Sequence, residues 1–406
     1  MTQALSTATP ERFGGFPFGL SPAEEVRAAE LHDRAVIIDM VHQGAAGHRL
    51  FDHPDLAGEK ARLSRLFGHP LDFMAAAQSA ALMLDQAGGT ALRDLWRASG
   101  VTCGTMHIHV GGPGDAGDRL GRAAHLTATS LPWLTQARTA GDIRRAKATG
   151  SHCLVGYCQP VMPLPPDLSA LDDAYERGLR VLMLTYNHAD HVGAGCTASV
   201  DAGLTAFGQR VVDWCNSAGV VVDTSHCGPE TTLQACRRSR QPVLANHTAA
   251  AALFPHPRGK SDDALRAIAD TGGMVGIVTV PFFLSADPRA DIGCLLDHIG
   301  HVADLTGIAH VGIGTDWPLT GPKAGMAANF GGAGLASIGF DEQTHAIEAT
   351  RNLIGFDDYR DFPNITRGLV ARGLDDDAIL AVLGGNFLRV FGQVCGDDGG
   401  PHDQHP

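Results

Sequence analysis

The sequence predicts an α/β fold, a closed (β/α)8 TIM barrel carrying extra C-terminal helices, and three observations predict it. Eight short runs of apolar and β-branched residues recur along the 406 residues. Segments with helical periodicity separate them, and strands joined by helical crossovers run parallel, because no tight hairpin can connect a parallel pair. Fifty glycines and 22 prolines supply the many short connections that such alternation requires. A doubly wound open sheet is the competing topology, but no GxGxxG follows the first run and no Walker motif occurs.

The runs are RAVIID (34–39), VTCGTMHIHV (101–110), HCLVGY (152–157), LRVLMLTY (179–186), GVVVDTS (219–225), PVLAN (242–246), GMVGIVTV (273–280) and AHVGIGT (309–315). SPAEEVRAAELHDRA precedes the first as a helix. Stretches such as TSLPWLTQARTAGDIRRAKATG, DAGLTAFGQRVVDWCNSAG and SDDALRAIADTG separate later runs, and several of the separating segments open on Asp, Ser or Pro and close on Gly as helices do. After the eighth run, DEQTHAIEATRNLIG and DDDAILAVLGGNFLRVF predict two more helices packed on the barrel's outside. The expected organisation is an N-terminal extension (1–29), the barrel (30–392) and a polar tail (393–406) that is expected to be disordered.

A formal charge of −13 with no cluster of Lys and Arg argues against a nucleic-acid partner and leaves a small molecule or peptide. The N-terminus lacks a basic region followed by an apolar core, and no stretch approaches the ~18 consecutive apolar residues of a membrane span. No membrane association is therefore expected, and the expected location is cytoplasmic. Nine cysteines occur singly without CxxC spacing, as reduced thiols do.

In a barrel of this kind functional side chains gather where strands end. The strand ends here present His42; His107 and His109; Cys158 and Gln159; Tyr186, Asn187 and His188; His226; His247; and Asp316. A lone histidine after a strand more often satisfies a loop carbonyl than binds a metal. His226 and His247 strengthen each other, because DTSH and LANH end neighbouring strands alike and aim two imidazoles into one mouth. Asp316, placed by the glycine-rich GIGTDW, suits a ligand to a divalent ion that also shuttles a proton. Two histidines and one aspartate make a zinc set with a position open for water. The competing reading of the histidine pair is two core imidazoles with satisfied hydrogen bonds.

These residues resemble the renal or membrane dipeptidases, peptidase family M19, of the metal-dependent amidohydrolase superfamily. The similar stretches run in order from about residue 30 to 392: LTYN (184–187), DAGLTAFG (201–208), VVDTSH (221–226), NH (246–247) with HPRGK (256–260), TGGMVGI (271–277), HVGIGTD (310–316), FPNITRGL (362–369) and LGGNFLRVF (383–391). The resemblance implies that His226 and His247 are imidazole ligands of one zinc, and that Asp316 ligates the other and acts as acid and base. It implies that Arg258 holds the substrate carboxylate. Tyr186 and Asn187 then lie in the segment that polarises the scissile carbonyl, where many members have His at the position of Tyr186. A homodimer is expected on the same ground.

The chain departs from the family in two places. The family's first strand ends Asp-Gly-His-x-Asp, whereas here Asp39 is followed by Met40, Val41, His42 and Gln43, so Val41 and Gln43 stand at the ligand positions. His42 is one place out of register and becomes a candidate substrate contact. The bridging glutamate follows the third strand as GxE, and GYCQ puts Cys158 there as a candidate ligand. The resulting expectation is a divergent hydrolase with one divalent ion, zinc or another metal, on His226, His247 and Asp316 or Cys158. It would cleave an amide of a small, carboxylate-bearing, dipeptide-like substrate. The alternatives are a non-hydrolytic binding protein on the same barrel and an enzyme of altered reaction type, a lyase or isomerase.

Overall fold

The structure, a computed structural model, describes residues 14–41, 91–111, 118, 121–122, 131–160, 163–316, 336, 338–341, 345 and 351–397. Its strands are β1 (Ile37–Ile38), β2 (Val101–His107), β3 (Leu134–Ala137), β4 (His152–Cys158), β5 (Leu179–Met183), β6 (Val221–Asp223), β7 (Val243–Ala250), β8 (Gly259–Lys260), β9 (Met274–Ile277) and β10 (Val311–Ile313). Eight of them follow one another in parallel in the order β1-β2-β4-β5-β6-β7-β9-β10. The seam between β10 and β1 is closed by main-chain bonds, Met40 N to Ile313 O at 2.9 Å and Asp316 N to Val41 O at 2.8 Å. The sheet is a nearly closed parallel (β/α)8 barrel, and each of the eight apolar runs contributes a strand to it.

Three expectations are corrected. The segment predicted as one helix before β4 splits into β3 and a helix at Ala140–Thr149. LTQA pairs with the first half of β4, whose flank β5 joins only at Gly156. Within the helix predicted over 341–355, Leu353 and Ile354 form isolated β-bridges, and 342–344 and 346–350 lie outside the described residues. The helix expected on the barrel's outside closes its N-terminal end instead. In Asn386–Cys395, Asn386 Nδ2 donates to Ile308 O (2.7 Å) and Val311 O (2.8 Å), and Arg389 donates to Gly272 O and Ala309 O (each 2.8 Å), all at or just before strand starts. Residues Asp376–Cys395 are long and apolar enough to cross a membrane by length and composition alone, but most of that face is packed against the protein. The stretch bends at Gly384, where a Cβ would lie 2.1 Å from Val36 O.

Strand alternation fills the barrel interior with Ile38, Met40, Val155, Tyr157, Val181, Met183, Val221, Leu244 and Met274. Met40 occupies the room left by glycines: a Cβ at Gly276 would lie 2.2 Å from its Cε. From Gly14 onward the N-terminal segment is docked on the helix Phe362–Ala371. Arg367 pairs with Glu25 (Nε to Oε2, 2.7 Å) and donates to Gly14 O and Phe16 O, each at 2.8 Å.

A buried carboxylate ties the seam. Asp39 accepts from Thr315 N (2.8 Å), Thr315 Oγ1 (2.5 Å), Val41 N (3.3 Å) and the Tyr359 hydroxyl. Burial outweighs these bonds and raises its pKa from 3.8 to about 7. Between those values the native state holds a proton that the unfolded chain has released, so this contribution is full below about pH 4 and declines as pH rises toward 7. Asp39→Asn, which fixes the neutral form, is expected to remove a pH-dependent loss on the order of 2–4 kcal/mol. Urea denaturation at pH 5 and 7.5 tests this, and equal pH slopes in parent and variant would contradict it.

Candidate active site

The DTSH turn after β6 and the LANH stretch, which lies inside β7 because the strand runs on to Ala250, bring His226 and His247 together with their Nε2 atoms 2.8 Å apart. Each ring is held from behind. His226 Nδ1 lies 2.6 Å from Asn187 Oδ1, and Asn187 is itself oriented by Nδ2 donating to Ile338 O at 2.7 Å. His247 Nδ1 lies 2.6 Å from Asn246 Oδ1. An amide oxygen only accepts, so each Nδ1 carries the proton and each Nε2 presents a lone pair toward the other ring. Burial, and then the charge of Arg258, push both imidazole pKa values well down, which keeps the pair neutral.

Asp223 sets the spacing of these two segments. Fully buried, it accepts from Ser225 N (3.1 Å), Ser225 Oγ (2.6 Å), Asn246 N (2.9 Å) and the Tyr157 hydroxyl (3.1 Å). Ser225 Oγ in turn accepts from His247 N at 3.1 Å. Desolvation raises the Asp223 pKa, and these four bonds oppose the rise.

Asp316, just past β10 and two strands from β7, lies near the same mouth. It has φ 51°, the one positive φ outside glycine among the described residues, a conformation Asp tolerates better than most side chains. Its charge acts on both Tyr157 and Tyr186, helping burial to raise their hydroxyl pKa values. Tyr186 stacks on His226 with ring centroids 4.4 Å apart. Among the described residues no three His, Cys, Asp or Glu side chains cluster closely enough to hold an ion, so Asp316 shares the mouth without completing such a cluster.

Arg258 is almost fully buried and bridges the two segments, donating from Nη1 to Ser225 O (2.6 Å) and from Nη2 to His247 O (2.9 Å). Its guanidinium lies 5.4 Å from the Phe283 ring centroid. No described atom accepts from its Nε–H.

Two site expectations are corrected. Cys158 does not face the imidazoles. Tyr157 points inward to Asp223, so the next side chain points out into the cluster under the helices, where burial raises the thiol pKa to about 12. Asn187, expected at the substrate, is fully buried and spends its amide on His226 and Ile338. His42 lies outside the described residues. Asp223 and Asn246 were not singled out by sequence reasoning, and Gln159 was placed at a strand end but given no role. Gln159, one residue past Cys158 and back on the inward face, places Nε2 3.2 Å from His226 Nε2.

A family model for membrane dipeptidase, peptidase family M19, matches residues 116–327, just over half of the chain. The chain belongs to this family. Among curated proteins it is 29% identical over 230 residues to the dipeptidase aclJ of Aspergillus oryzae, covering 56% of this chain and 48% of that protein. It is 31% identical over 230 residues to an uncharacterized dipeptidase of Schizosaccharomyces pombe, covering 55% and 48%. The matched stretch thus spans about half the length of these relatives. Among solved structures, an amidohydrolase from Pseudomonas aeruginosa shares the fold with TM-score 0.71 and 24% identity over 91% of this chain and 99% of that one. A metallopeptidase from Rhodobacter sphaeroides, solved with a phosphinate mimic of the dipeptide L-Ala-D-Ala, aligns with TM-score 0.61 and 19% identity over 88% and 99%.

The M19 family is metal-dependent, and the donor set here fits a divalent ion at one position. Two neutral imidazoles present converging lone pairs, each with its tautomer fixed by a carbonyl oxygen on the far nitrogen, the support that metal-ligating histidines ordinarily have. Val41, at the place the resemblance gives to a ligand of a second ion, is buried among the interior side chains and offers no donor.

Removing Asp223 would leave buried donors from Tyr157, Ser225 and Asn246 without their acceptor. Asp223→Ala is expected to cost about 3–5 kcal/mol of folding stability. Denaturant titration checks this, and a loss under ~1 kcal/mol would show that the carboxylate is not the hub of the site.

Proposed function

We propose that this M19 chain is a dipeptidase-like hydrolase that cleaves the amide bond of a small substrate bearing a free carboxylate, with one zinc ion in place of two. The observation that carries the reading is the pair of Nε2 lone pairs held 2.8 Å apart inside the barrel mouth. His226 and His247 would hold the ion, with Asp316 at the same mouth. When bound, zinc supplies Lewis acidity and brings the pKa of water toward ~7. The lack of a donor at Val41 favours a single ion, and the likeness to relatives named dipeptidases supports the substrate class.

The chain's own groups divide the remaining work. Asp316 takes the proton of the attacking water and returns it to the leaving amine, its carboxylate held over the mouth by the bond from its N–H to Val41 O. Tyr186, whose hydroxyl pKa is raised by burial and then by Asp316, keeps its proton at neutral pH and can donate it to the scissile carbonyl oxygen. Arg258, immobilised by two main-chain carbonyls, offers its Nε edge to the substrate carboxylate at no cost in side-chain ordering.

Dipeptide hydrolysis tests the reading. Asp316→Asn is expected to lower kcat by at least about 100-fold while the protein stays folded, and parent-like turnover would remove the proton-transfer role. Arg258→Ala is expected to lower kcat/KM at least about tenfold for a dipeptide but not for the same dipeptide with an amidated C-terminus. Equal losses on both substrates would reduce Arg258 to a structural tie between the two segments.

A further inference from the structure

We propose that Gln159 is the third protein donor of this metal site, supplying its side-chain carbonyl Oε1. The proposal rests on the single-zinc reading above and extends the His226 and His247 pair to a third residue. Inward-facing alternation after Tyr157 returns at Gln159, and the amide reaches the imidazole pair, with Nε2 3.2 Å from His226 Nε2. Because both Nδ1 protons are committed to Asn187 and Asn246, the His226 Nε2 that Gln159 approaches is an acceptor, the same lone pair that faces His247. The amide therefore lies where a ligand to the pair's ion belongs. A half-turn about its last torsion exchanges Nε2 and Oε1 and moves no other heavy atom. Cys158, the neighbouring candidate, is turned into the helical layer and cannot take this place.

The assignment makes these three donors, two imidazoles and one amide, all neutral. A carboxylate of the same shape would add a full negative charge to the site, so Gln159→Glu should bind the ion more tightly and Gln159→Met, of similar length without an oxygen, more loosely. Cobalt(II), whose visible absorption reports its donors, is titrated at pH 8 into the full chain, the two Gln159 variants and His226→Ala, with circular dichroism confirming that each is folded. The expected result is tightening of about tenfold or more for Glu, weakening of about tenfold or more for Met, and a shifted absorption band in both. Parent-like affinity and spectrum in either Gln159 variant, with binding still lost in His226→Ala, would overturn the role of Gln159 and leave the histidine site standing. A parent chain that binds no cobalt would overturn the underlying metal reading as well.

Discussion

Asp223 accepts hydrogen bonds from three segments of the chain, the end of β4 through Tyr157, its own turn through Ser225, and the middle of β7 through Asn246. Because it is fully buried, water cannot replace any of them. Burying a carboxylate costs several kcal/mol, and charge-assisted bonds of roughly 1.5–3 kcal/mol each offset that cost only while all the donors stay in place. The result is a rigid coupling of these segments. The two imidazoles stand on that coupling, and Arg258 ties two of them together again through Ser225 O and His247 O. Across the barrel, Asp39 does the corresponding work at the seam, fixing Thr315 and with it the left-handed backbone of Asp316.

Much of this could be read in the sequence. The eight barrel strands were legible because buried parallel strands are continuous β-branched runs, and the histidine pair because DTSH and LANH repeat one design on neighbouring strands. β3 was not legible, since LTQA is short, half polar and adjoins a strong helix start. Helix Asn386–Cys395 was legible as a helix but not as the barrel's floor, because an apolar face does not say which surface it covers. The choice of Cys158 over Gln159 failed for a sharper reason. A side chain's face changes with every residue along a strand, and the outward turn of Cys158 is fixed by Tyr157 meeting Asp223, a contact 66 residues apart. The four bonds to Asp223 were equally invisible, although an Asp followed two residues later by Ser at a strand end is a pattern that can form them.

The departures from the family fall into one physical pattern. Val41 removes an imidazole and, with Cys158 turned away, the uncharged Gln159 is what the end of β4 offers to the histidines. Val41 leaves one donor fewer and Gln159 one negative charge fewer for a second ion, while the pair that would hold the first keeps its supporting shell of Asn187, Asn246, Ser225 and Asp223. Loss confined to one position with support kept at the other fits the proposed single-ion centre better than the scattered damage of a decaying site.

Zinc content of the purified chain after exposure to zinc and removal of loose ions, measured beside His226→Ala and His247→Ala, tests the central claim most directly. About one equivalent in the parent and essentially none in either variant is expected. No retained zinc in the parent, or undiminished zinc in either variant, would contradict the paired imidazoles as a metal site.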